Sequence, residues 1–120
     1  MENDLIIQKL QNLQSEFAKE RNWDKYHTPK NLSMALSVEV SELLEIFQWM
    51  TDNEILEKIN DKDFRGSISD EIADIFLYLI RIAEKLDINI EKSVLKKLKK
   101  NKIKYPVKLS KDNAIKYNKR

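Results

Sequence analysis

Apolar residues recur at helical spacing along most of this chain. Leu5, Ile6, Leu10, Leu13 and Phe17 stand on one face and predict a first helix over roughly residues 3–21. "RNWDKYHTPKNL" breaks the pattern. Within it, Thr28 before Pro29 reads as an N-cap with proline at the first helical position, which opens a second helix from Pro29 to Met50. "TDNEILEKI" predicts a short third helix capped by Thr51 or Asp52, and "NDKDFRGS" a loop around Gly66. Ser67 or Ser69 starts a fourth helix through "DEIADIFLYLIRIAEKL". After a turn at "DIN", "EKSVLKKLKKNKI" predicts a fifth helix. Pro106 stops it, and the last fifteen residues read as extended or irregular. One glycine and two prolines supply too few turns for a sandwich or barrel. The expectation is an all-α bundle of four main helices plus one short one, with a domain over residues 1–106 and a basic tail over 107–120.

Two of these helices interleave acids with apolar residues. At 100° per residue, Leu36, Val40, Leu43 and Phe47 share one side of the second helix, and Val38, Glu39, Glu42, Ile46 and Trp49 share the other. In the fourth helix Ile72, Phe76, Leu79 and Ala83 form a stripe. Glu71, Asp74 and Tyr78 lie opposite, flanked by Ile68, Ile75 and Ile82. Each helix thus carries a carboxylate pair at i, i+3 among apolar neighbours. A single ExxE is an ordinary solvated face, but two inside greasy helices point to a shared, partly buried site. Four carboxylates there repel one another and lose hydration, and a divalent cation relieves both costs. Mg²⁺ suits an all-oxygen donor set and keeps waters for a phosphate. No cysteine and a single histidine, His27, argue against zinc. Glu45 turns toward Gln48 and reads as a rim residue or a partner of the ligands. Helices apolar on two sides also need partners on both, which predicts a homo-oligomer.

Composition refines this picture. Apolar residues at 42% and charged residues at 35% read as a globular, soluble chain of 120 residues. The longest greasy run, "IFLYLI", is far below a membrane span of ~20 residues. The acid-bearing start "MENDLIIQKL" does not read as a signal peptide, so the expectation is cytoplasmic with no membrane association. The net charge of +2 conceals a split: residues 91–120 hold twelve Lys and Arg against two acids. Such a segment serves nucleic acid or a smaller polyanion such as a triphosphate. Lys97, Asn101 and Lys104 form one helical stripe within it.

"EVSELLEIFQW" followed by "EIAD" resembles the ExxE…ExxD signature of the MazG-like all-α nucleoside triphosphate pyrophosphatases. "WDKYHTPKNLSMALSVEVSELLEIFQW" and "VLKKLKKNKIKYPV" are similar to the dCTP pyrophosphatase branch, so the resemblance runs from about Trp23 to Val107. It implies Mg²⁺-dependent cleavage of a (deoxy)nucleoside triphosphate, dCTP or a modified dCTP, to monophosphate and pyrophosphate, as nucleotide-pool cleaning. It implies Glu39, Glu42, Glu71 and Asp74 as metal ligands and catalytic acids. It also implies that Lys97, Asn101 and the Lys104–Tyr105 element grip the triphosphate, and it moves His27 from a loop or cap role toward the substrate pocket. Trp49 stacks on a base or packs in the core; Tyr78, one turn after Asp74, points toward the site. The related branch implies a tetramer built as a dimer of dimers, ahead of a dimer. Asp112 departs from the glycine that family members often carry there. The rival readings are a pyrophosphatase of another base, such as dUTP or a noncanonical nucleotide, and a non-enzymatic nucleic-acid-binding adaptor. Four inward carboxylates make nucleic acid the weaker expectation.

Overall fold

The computed structural model describes residues 2–119. The helices are α1 (Glu2–Glu20), α2 (Pro29–Phe47), α3 (Asp52–Lys58), α4 (Lys62–Lys85), α5 (Ile90–Lys104) and α6 (Val107–Ser110), with 3₁₀ turns at Asp24–Tyr26 and Tyr117–Lys119. No strand occurs among the described residues. The all-α expectation holds. The chain forms two compact units that divide after Asp87.

In the first unit α2 packs against α4, and α1 against α4. Local signals in the sequence explain most boundaries. Thr28 Oγ1 accepts from Asn31 N at 3.1 Å, with Pro29 opening the helix. Thr51 and Glu54 form a capping box, so Thr51 caps α3. With one glycine in the chain, α1 and α4 are followed by left-handed residues whose short polar side chains tolerate that backbone, Asn22 (φ 54°) and Asp87 (φ 53°).

The start of α4 differs from the sequence expectation. The helix begins at Lys62, not Ser67 or Ser69, and Gly66 lies within it rather than in a loop. Asp61 Oδ1 accepts from Phe64 N at 2.9 Å, and the Phe64 ring meets Phe47 edge-on at 6.5 Å. A cap contributes about 1 kcal/mol, which offsets the roughly 1 kcal/mol that glycine costs inside a helix. The aromatic contact then ties the added turn to α2.

Ala18, Leu32, Ile68, Ile80 and Ala83 form the buried core. The face of α4 turned inward is the one that carries Ile68, Glu71, Ile75 and Tyr78. Most of the apolar stripe faces solvent instead: Ile72, Phe76 and Leu79 are exposed while Ala83 at its end is buried, and Val40 and Leu44 of α2 are exposed as well.

In the second unit Asn89 Oδ1 caps α5 through Lys92 N at 3.0 Å. The tail is more ordered than expected. Leu109 N and Ser110 N both donate to Pro106 O at 3.0 Å and close α6, because a proline that cannot continue one helix can start the next. The Tyr105 and Tyr117 rings meet edge-on at 5.9 Å. Asp112 adopts φ 67°, a left-handed backbone that glycine takes without strain and aspartate tolerates.

Candidate active site

The packing of α2 on α4 brings the two acid pairs together. Glu39, Glu42 and Glu71 each place a carboxylate oxygen within 4.8 Å of the other two. Oε2 of Glu39 and Oε2 of Glu71 are buried without a hydrogen-bond partner. Burial without a partner is costly for such oxygens. The Glu39 carboxyl is pushed up to about 7, first by its hydrogen-bonding approach to Glu71, then by burial, then by the charges of Glu42, Glu71 and Asp74. Tyr78 is raised by burial and then by Glu39, Asp74 and Glu42, which places its ring beside the same acids. Orphaned oxygens, mutual repulsion and an all-oxygen donor set together fit a hard divalent cation.

Beside the acids lies a cavity of about 490 Å³, within the range of small-molecule sites. Leu10, Leu13, Gln14 and Phe17 of α1 form one wall, Trp23 and His27 a second, and Asp74, Leu77, Tyr78 and Arg81 of α4 a third, with Glu39 completing it. Phe17 and Trp23 meet edge-on at 5.7 Å. Glu39 belongs to both cavity and acid cluster, so an apolar, aromatic chamber opens onto the carboxylates.

Arg81 is 3% exposed. It donates to Asp24 Oδ1 at 2.8 Å, Ser15 Oγ at 3.0 Å, Glu84 Oε1 at 3.2 Å and His27 Nδ1 at 3.2 Å. These bonds tie the Asp24–His27 segment to α1 and α4. Asp24 also accepts from Lys85 Nζ at 2.6 Å, and this bond leads the causes that hold its carboxyl below the usual range. His27 is held below its ordinary value by burial, then by the charges of Arg81 and Lys85, against the opposing pull of Asp24.

The sequence-predicted residues therefore divide. Glu39, Glu42 and Glu71 converge; Asp74 stands outside that group and lines the cavity with Tyr78 and His27. Trp49 does not join them: it follows the end of α2 and is 87% exposed. Lys97, Asn101, Lys104 and Tyr105 belong to the second unit. There the Lys104 ammonium sits near enough to hold Lys97 below its usual range, and Tyr105 N donates to Asn101 O at 2.8 Å. Sequence reading missed Gln14, whose Oε1 is buried without a partner, and Arg81. The signal for Arg81 was visible as a lone cation after the greasy run "IFLYLI".

The MazG-like family profile matches residues 34–119. The chain belongs to the MazG-like family. Among members of known name, dCTP pyrophosphatase 1 from Rattus norvegicus is 36% identical over 111 residues. That alignment spans 92% of this chain and 65% of the rat protein. The Homo sapiens protein of the same name is 35% identical over the same share of each chain. The chain thus spans somewhat less than two thirds of the length of these relatives. A solved pyrophosphatase from Archaeoglobus fulgidus DSM 4304 superposes with a TM-score of 0.77 at 42% identity, covering 82% of this chain and 91% of that one. The likeness shows that the two chains share this all-α architecture.

Proposed function

We propose that this chain hydrolyses a deoxynucleoside triphosphate, dCTP or a modified dCTP, to the monophosphate and pyrophosphate, as a magnesium-dependent clearance of the nucleotide pool. The observation that carries this reading is the convergence of Glu39, Glu42 and Glu71 beside a chamber that shares Glu39 with them and is also lined by Asp74. The names of the relatives support the substrate and the bond broken.

Glu39, Glu42, Glu71 and Asp74 would hold magnesium, which when bound neutralises phosphate charge and lowers the pKa of a bound water. Phe17, Trp23 and the leucines of the chamber take the apolar faces of a nucleobase and exclude water from it. One of the four carboxylates receives the proton of the attacking water. Lys97, Asn101, Lys104 and Tyr105 serve as phosphate contacts, a role supported by the resemblance of "VLKKLKKNKIKYPV" and by the closeness of two ammonium groups.

The exposed stripe of Val40, Leu44, Ile72, Phe76 and Leu79 supports a homo-oligomer, and the family resemblance puts a tetramer ahead of a dimer. No described helix is long and apolar enough to cross a membrane, and a cytoplasmic setting fits the proposed pool of substrate.

A panel of nucleoside triphosphates incubated with Mg²⁺, read for monophosphate and pyrophosphate, tests the reading. The highest kcat/KM belongs to dCTP or a modified dCTP. Preference for dUTP would move the base assignment. Release of inorganic phosphate from every nucleotide would overturn the bond assignment.

A further inference from the structure

Arg81 joins Ser15 of α1, Glu84 of α4 and Asp24 of the segment between α1 and α2. The fourth bond does something different. The Nε–H of a permanent cation can only donate, so His27 Nδ1, 3.2 Å away, must be the unprotonated nitrogen. In a neutral imidazole the proton then sits on Nε2. Both side chains line the chamber.

We propose that Arg81 is a positioning residue that holds His27 as its Nε2–H tautomer, so that the chamber offers a hydrogen-bond donor to an acceptor on the nucleobase. The inference rests on the nucleotide reading above. It adds an oriented donor to those that Gln14, Trp23 and Tyr78 can offer in the same chamber. Glu39 and Asp74 as carboxylates only accept, whereas a cytosine ring carries two acceptors, O2 and N3, beside its amino group. A protonated His27 would set two cations against each other, and the burial and neighbouring charge that lower His27 disfavour that state. Arg81 fits the task because its guanidinium is planar and its donor directions are fixed, so the imidazole plane follows from the bonds on the other side of the fork.

His27 is the only histidine in the chain, so ¹⁵N-histidine labelling gives a single imidazole spin system. In the full chain with Mg²⁺ at neutral pH, the expected pattern is an unprotonated Nδ1 and a protonated Nε2. Arg81→Met should shift it toward a tautomer mixture. In steady-state dCTP hydrolysis, His27→Phe keeps the ring without the donor. It should raise KM about tenfold with kcat changed less than about threefold, the scale of one neutral hydrogen bond. His27→Gln restores an N–H near the Nε2 position and should bring KM back within about threefold.

An Nδ1–H tautomer in the unsubstituted protein overturns the proposal. So does normal turnover with an unchanged KM in His27→Phe. Should Arg81→Met not fold, the tautomer of the unsubstituted protein and the two His27 variants still decide the matter. No dCTP turnover by the unsubstituted protein overturns the nucleotide reading, and the donor's role falls with it whatever the tautomer.

Discussion

Glu39 and Glu71 meet across the α2–α4 packing with Oε2 of each buried and without a hydrogen-bond partner. Two carboxylates so placed need either a shared proton or a cation. The proton alternative is visible in Glu39, which is pushed up to about 7.

That shift has a stability consequence with a definite sign. Glu39 is raised from 4.5, so its favourable contribution to the metal-free protein is fully present below pH 4.5 and is lost as pH rises through about 7. Thermal melts in chelator should show wild type losing Tm over that window relative to Glu39→Gln. Added Mg²⁺ should raise the wild-type Tm more at pH 8 than at pH 5. Equal shifts at both would separate Glu39 from the metal.

Glu42 and Asp74 are exposed, so their amides should leave the fold intact. Glu42→Gln and Asp74→Asn should each lower dCTP turnover by about 100-fold or more, the usual scale for losing a catalytic acid or base. Circular dichroism should be unchanged. Near-normal turnover in either variant removes it from the machinery.

Phe76, on the exposed stripe of α4, tests the assembly. Light scattering should give a mass several times that of the 14.3 kDa chain, and Phe76→Glu should lower it. A monomeric unsubstituted protein would leave that stripe without a partner copy.

Lys97→Ala removes a cation whose neighbour is another lysine. It should raise KM for dCTP roughly tenfold, as one charge-assisted hydrogen bond contributes about 1.5–3 kcal/mol, and make KM less sensitive to added salt. An unchanged KM would return Lys97 to the solvated face of α5.

Much of the site was legible because carboxylates at i, i+3 within apolar helices conflict with burial unless something binds them. Glu39 and Glu71 carry that conflict, and Glu42 joins them from an exposed position. The start of α4 was less legible, because Asp61, Ser67 and Ser69 are all good caps and only the packing of Phe64 on Phe47 chooses among them. Trp49 follows the end of α2 at Phe47 and is 87% exposed, so core packing within this chain is ruled out and base stacking is the alternative that stands. Gln14 and Arg81 take their meaning from partners 54 to 66 residues away or from a chamber built by three segments, and periodicity does not see across such distances.

In the proposed mechanism the α2 and α4 acids gather a divalent ion where a nucleotide's phosphates lie. The most direct test is ³¹P NMR of dCTP incubated with the protein. With Mg²⁺ present, the resonances of dCTP should give way to those of dCMP and pyrophosphate, with no change in chelator or in Glu42→Gln. Persistence of dCTP with Mg²⁺, or its conversion at the same rate in chelator, would contradict the account.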